Sequence, residues 1–370
     1  MKKTFISLLC IALVCVFSVS TAHAKKKSKA KLFDELKSGK TKDQKFRNAY
    51  LLGTISKLAY QATGKNKTYR DITGNKVTTS RNGKVKFGGE INPKRFKEFG
   101  LKLCNPDMPY WTVEKNKKGK TGIKIHDVQA YLLHNKTTVI LAFRGTKEKH
   151  DWGTNSKYKA KKLKEYGKNV KVHGGFLEAV KLANKQLKLE SEIRKCRKKG
   201  GKKGKKKRKL HVTGHSLGGA MATLWTFIHR KDGKVQASRL YTYGEPSVGN
   251  KAFVKAFKKL EGDKFKAYSW INENDPVTFT TRAFDFAPTG TRQWITCPAK
   301  KPTSQMKKCK HAKIQLKTTI PPWLLPAPSI AIHDMTLYMS RILKLAPKKV
   351  QTKLKKLGAG KKLNAMIKKA

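Results

Sequence analysis

Acidic residues are few in this chain for the number of basic ones. Against 85 lysines and arginines it sets 23 aspartates and glutamates, a formal net charge of +62 over 370 residues. Self-repulsion on that scale favours solubility, opposes compactness and attracts polyanions. No nucleic-acid recognition motif accompanies the charge, so specific nucleic-acid binding is not expected. Cysteine is scarce as well, with six in all. No C-x-x-C pair and no His/Cys spacing suited to zinc occurs. Long apolar runs are missing too. The run at residues 5–19 is too short for a comfortable membrane span. It follows Lys2 and Lys3 and precedes Ala22-His23-Ala24, a small-residue cleavage site. Residues 1–24 therefore read as a secretory signal peptide. Neither Cys10 nor Cys15 follows the small residue that lipoprotein processing prefers, so a freely secreted protein, extracellular or periplasmic, is expected.

Without residues 1–24, four cysteines remain: Cys104, Cys196, Cys297 and Cys309. An even count in an exported protein permits two disulfides in three connectivities. Cys297 and Cys309 are close in sequence and could close a short loop.

Residues 25–44 are polar and lysine-rich, and are expected to be poorly ordered. Phe46, Ala49, Leu52, Ile55, Leu58 and Ala59 then recur at helical spacing. Residues 127–133 and 137–143 flank His134-Asn135-Lys136 and read as a hairpin. Its second strand is almost continuously apolar, as a central strand should be. Strand and helix patterns alternate from there to residue 345. That alternation predicts an α/β fold, a central, mostly parallel sheet with helices on both faces. The expected domain is residues 45–345, with a basic insert at 194–209 and a basic tail at 346–370. In the tail Val350, Leu354 and Leu357 share one face and resemble a short surface-seeking helix.

The densest local signal is Gly214-His215-Ser216-Leu217-Gly218, a G-x-S-x-G pattern. An alternating strand at 210–213 precedes it and a mostly apolar helix at 220–229 comes after it. At a strand-to-helix turn this pattern makes a nucleophile elbow. The helix N-terminus then aims free N–H groups at any developing oxyanion. An activated serine needs a base, and the base needs an orienting carboxylate. Asp275 lies at a strand end, stopped by Pro276. His333 opens a C-terminal helix. The order Ser216, Asp275, His333 is that of an α/β-hydrolase. His311 is a rival base in a lysine-rich setting, and His215 is poorly placed to serve its own neighbour.

Several further segments, in order, carry a resemblance to a known family. They are Asn48-Ala49-Tyr50 to Leu58-Ala59-Tyr60, Ala142-Phe143-Arg144-Gly145-Thr146 with Asp151-Trp152 and Asn155, and Val172-His173-Gly174-Gly175-Phe176. After the elbow come Thr242-Tyr243-Gly244-Glu245-Pro246 with Val248-Gly249-Asn250, Asn274-Asp275-Pro276-Val277, and His333 with Tyr338. Together they resemble the class 3 lipases, the fungal-type triacylglycerol lipase family of the α/β-hydrolase superfamily. The resemblance implies Ser216 as nucleophile, Asp275 as orienting acid and His333 as general base. It implies an oxyanion hole at the backbone N–H groups of Thr146 and Leu217, and a lid around Asp151 and Trp152. It also implies a lipid or other ester substrate, and a reaction that requires no metal or organic cofactor.

Family lids are amphipathic helices. Here residues 147–155 hold one large apolar side chain, Trp152, and lysines dominate residues 156–171. That departure points to contact with an anionic membrane or another polyanion surface. It is also compatible with an esterase acting on non-lipid esters of the feruloyl type. A reading from a different class is a non-catalytic polyanion-binding protein on a hydrolase scaffold, which would have no need of the Ser/Asp/His set.

Overall fold

The computed structural model describes residues 31–36, 41–60, 69–70, 76–79, 85–86, 97, 99–105, 130–145, 160–198, 207–233, 235–272, 275–281, 285–296, 313–315 and 330–360. The chain divides at Ala30, and all of these belong to Lys31–Ala370. Their centre is an eight-stranded sheet. Its strands are β1 (Lys102–Leu103), β2 (Ala130–His134), β3 (Thr138–Phe143), β4 (Lys209–His215), β5 (Arg239–Tyr243), β6 (Lys266–Asn272), β7 (Thr291–Thr296) and β8 (Lys313–Gln315). They lie side by side in chain order. Pairing is parallel from β3 through β7 and antiparallel at both edges.

That order decides where the helices go. Right-handed crossovers that always step the same way leave every connecting helix on one face of the sheet. So α2 (Gly174–Gln186), α3 (Leu189–Lys198), α4 (Leu217–Lys231) and α5 (Lys251–Lys258) pack there, around Val212, Leu224, Trp225 and Phe253. The opposite face would be bare. It is covered by α1 (Lys42–Leu58) from the amino side and by α6 (Met335–Leu345) and α7 (Lys348–Lys356) from the carboxyl side. β4 serves both layers. Val212 joins the crossover core, while the Thr213 hydroxyl meets the Ser56 hydroxyl of α1 at 3.0 Å.

The predicted hairpin forms as β2 and β3. Asn135 closes its turn, its Oδ1 accepting the N–H groups of Thr137 and Thr138 at 2.8 and 2.7 Å.

Three features depart from the sequence reading. Leu32, Phe33 and Leu36, inside the segment expected to be poorly ordered, are buried in a short 3-10 turn. In the tail, Val350 and Leu354 are 0% exposed against the α1 layer, so α7 is a core helix and not a surface-seeking one. In the basic stretch, Arg194–Lys198 ends α3 and Lys209 opens β4, so both of its ends are built into the fold. Cys104 pairs with Cys196, joining the end of β1 to α3 across a sequence separation of 92. Cys297 and Cys309 lie outside the described residues.

Candidate active site

Ser216 occupies the turn between β4 and α4. Its backbone adopts φ 59°, a left-handed conformation that costs a non-glycine residue energy and marks functional turns. The turn is held by contact. A side chain at Gly214 would collide with the Gly218 backbone, and one at Gly218 would collide with the backbone of Phe143 and Arg144. The elbow is thereby pressed onto the end of β3. Leu217 is the first residue of α4, and the helix has no acceptor of its own for that N–H.

Asp275 comes just after β6 and caps the 3-10 turn Pro276–Phe279. Its carboxylate is fully buried and multiply bonded. Oδ1 accepts the Val277 N–H at 3.0 Å. Oδ2 accepts the Tyr338 hydroxyl at 2.7 Å and lies 2.8 Å from Nδ1 of His333. Asn272 steadies both partners. Its N–H donates to the Tyr338 oxygen at 3.0 Å, and its Nδ2 donates to the Ile332 carbonyl at 3.1 Å. A carboxylate only accepts, so His333 Nδ1 bears the hydrogen and Nε2 presents a lone pair. Nε2 is buried and has no hydrogen-bond partner among the described residues.

Gly244, at the end of β5, floors this pair. It has φ +55°, and a Cβ there would lie 2.6 Å from Asp275 Oδ2 and 2.9 Å from His333 Nδ1. His215 stands beside the elbow with its ring centroid 4.4 Å from that of His333. His173 plays a structural part. Its Nδ1 caps α2 by accepting the Phe176 N–H at 3.3 Å. Burial lowers its pKa to about 4, which keeps it neutral.

The structure thus brings Asp275 and His333 into contact and places Ser216 and Leu217 at the elbow. Thr146, Asp151, Trp152, Asn155, Asn274 and His311 lie outside the described residues. Two contributors escaped the sequence reading: Asn272, and Tyr60 just beyond α1, whose hydroxyl reaches His215 Nδ1 at 2.9 Å. Among the described residues no group of three or more His, Cys, Asp and Glu side chains is arranged to hold a metal ion.

The chain has relatives in both sequence and fold. The family described as Lipase (class 3) matches residues 140–284. A secreted mono- and diacylglycerol lipase 1 of Fusarium solani is 30% identical over 158 residues, which are 42% of this chain and 44% of that protein. The chloroplastic phospholipase A1-Igamma1 of Arabidopsis thaliana is 26% identical, over 45% of this chain and 36% of that one. The chain therefore spans less than half the length of these curated relatives. Among solved structures, the native Rhizomucor miehei lipase propeptide complex superposes with a TM-score of 0.53 at 20% identity, covering 78% of this chain and 79% of that one. That likeness concerns the fold.

Proposed function

We propose that the chain is a member of the class 3 lipase family, on the match to that family over residues 140–284, and a secreted serine hydrolase of lipid carboxylic esters. The observation that carries the proposal is the Asp275–His333 contact, which leaves the imidazole's second nitrogen without a partner among the described residues. In the first step His333 Nε2 takes the Ser216 proton as Oγ attacks the ester carbonyl. The backbone N–H groups of Leu217 and Thr146 receive the oxyanion, and Asp275 steadies the imidazolium. His333 then gives its proton to the departing alcohol, leaving an acyl-enzyme on Ser216. Water, deprotonated by the same nitrogen, releases the fatty acid.

Glycerolipid esters are the proposed substrate class, in keeping with what the names of the relatives state. The lysine excess and the sparsely apolar lid segment favour anionic aggregates over neutral fat. A fluorophosphonate probe should label the protein with one-to-one stoichiometry and should fail to label Ser216→Ala. Labelling that survives Ser216→Ala would refute the proposal. A p-nitrophenyl ester series beside a feruloyl ester separates a lipid esterase from a feruloyl one.

A further inference from the structure

His215 stands in the site, yet the proposed reaction gives it no task. Its ring is buried, and both of its nitrogens are bonded. Nε2 lies 2.8 Å from the backbone oxygen of His333. A carbonyl only accepts, so Nε2 must carry the hydrogen. Nδ1 is then a lone pair, and the Tyr60 hydroxyl donates to it at 2.9 Å. With its hydrogen committed to His215, the Tyr60 oxygen faces its other neighbours as an acceptor. Gly145 and the Ser216 elbow lie next to it. A side chain at Gly145 would collide with the phenol oxygen and with the His215 carbonyl.

We propose that Tyr60 and His215 are a positioning pair for the Ser216–His333 reaction: two successive hydrogen bonds, Tyr60 to His215 and His215 to the His333 carbonyl, hold the base's backbone against the elbow and against the loop that opens at Gly145. The inference rests on the hydrolase function proposed for the site. Three chain segments converge on the pair. Gly145 begins the loop that leads to Thr146, Ser216 is the elbow, and His333 lends its own carbonyl. Catalytic groups must hold their places to within about 0.5 Å, and bonded neighbours are what hold them. The pair also has to stay neutral, because an imidazolium at 4.4 Å would repel the imidazolium that forms on His333. Burial, and after it the charge of His333, keep His215 well below the usual imidazole range. The other groups around the pair are Tyr338 of α6, with its ring centroid 6.0 Å from His215, and the Arg144 guanidinium, 5.8 Å from the Tyr60 ring. Asp275 acts on it through His333.

The test uses the full chain and soluble p-nitrophenyl butyrate. Tyr60→Phe removes one oxygen atom. It should lower kcat about tenfold, the worth of one neutral hydrogen bond, with KM within about twofold. Its kcat/KM should also fall more steeply toward acid pH, because His215 without its donor can take up a second proton. His215→Gln keeps a donor for His333 and an acceptor for Tyr60, so it should retain clearly more activity than His215→Leu. Full probe labelling of Ser216 in each variant reports that the site is still assembled. An unchanged kcat and pH profile in Tyr60→Phe, or a His215→Gln no better than His215→Leu, would overturn the pairing. Turnover surviving in Ser216→Ala would instead overturn the hydrolase function on which it rests.

Discussion

Gly244 is a position where one methyl group decides the geometry of the site. Its φ of +55° is open to glycine, and the space a Cβ would fill is taken by Asp275 and His333. Alanine there adds backbone strain of about 1–2 kcal/mol and pushes the acid and base apart. Gly244→Ala should cost at least about a hundredfold in kcat/KM on a soluble ester, while the melting temperature falls by only a few degrees. A loss confined to stability would contradict the contact. Its neighbour Glu245 governs stability instead. The carboxyl is buried behind the elbow helix, accepting the Thr223 hydroxyl at 2.6 Å. Burial raises its pKa from 4.5 to about 7, opposed by the Thr223 hydrogen bond, by the nearby hydroxyls of Thr242 and Ser269 and by the charge of Arg292. The native state therefore keeps a proton that the unfolded chain releases above pH 4.5. Stability is full below 4.5 and declines as pH rises through 7, by about 3 kcal/mol in all. Glu245→Gln keeps the acceptor for Thr223 and abolishes the ionisation. Thermal melts should place it above the parent at pH 8 and level with it at pH 4.5.

At the scale of the element, the lysine-studded tail is the instructive case. α7 shows lysines on its outer side and presses Val350 and Leu354 into the layer beneath α1. Deleting a fully buried leucine costs about 2–5 kcal/mol. Leu354→Ala should therefore lower the melting temperature by several degrees, whereas Leu357→Ala, at a half-buried position, should cost much less. Loss of vesicle binding with an unchanged melt would return the tail to a membrane-seeking role. The sequence made the α/β class, the elbow, Asp275 and His333 legible, because each leaves a local trace: strand–helix alternation, paired glycines, Asp-Pro at a strand end, and a histidine just ahead of a helix, where it ends a 3-10 turn and Asp334 caps the helix that was expected to open at His333. Leu32, Phe33 and Leu36 were hidden because three apolar residues in a 3-10 turn show no period among lysines. The Cys104–Cys196 bridge and the Tyr60–His215 bond were hidden because tertiary folding alone brings residues 92 and 155 apart into contact. A tyrosine at the end of a helix carries no mark of its target.

The whole molecule carries +62, and its field acts on any lipid surface it approaches. Attraction to an anionic surface reaches about 30 Å at 0.01 M salt and about 8 Å at 0.15 M. Hydrolysis of mixed vesicles bearing acidic phospholipid should exceed that of neutral vesicles at low salt, and the gap should narrow at 0.15 M. Equal rates at low salt would remove the proposed preference. The field belongs to the finished protein, and so does the chemistry. The sheet face beneath α1, α6 and α7 is assembled from the two ends of the chain. Tyr60 comes from one end and His333 from the other. A chain emerging amino end first from the ribosome presents Ser216 long before residue 333, its proposed base, has been made. On the proposed mechanism a nascent chain is inert until residue 333 arrives.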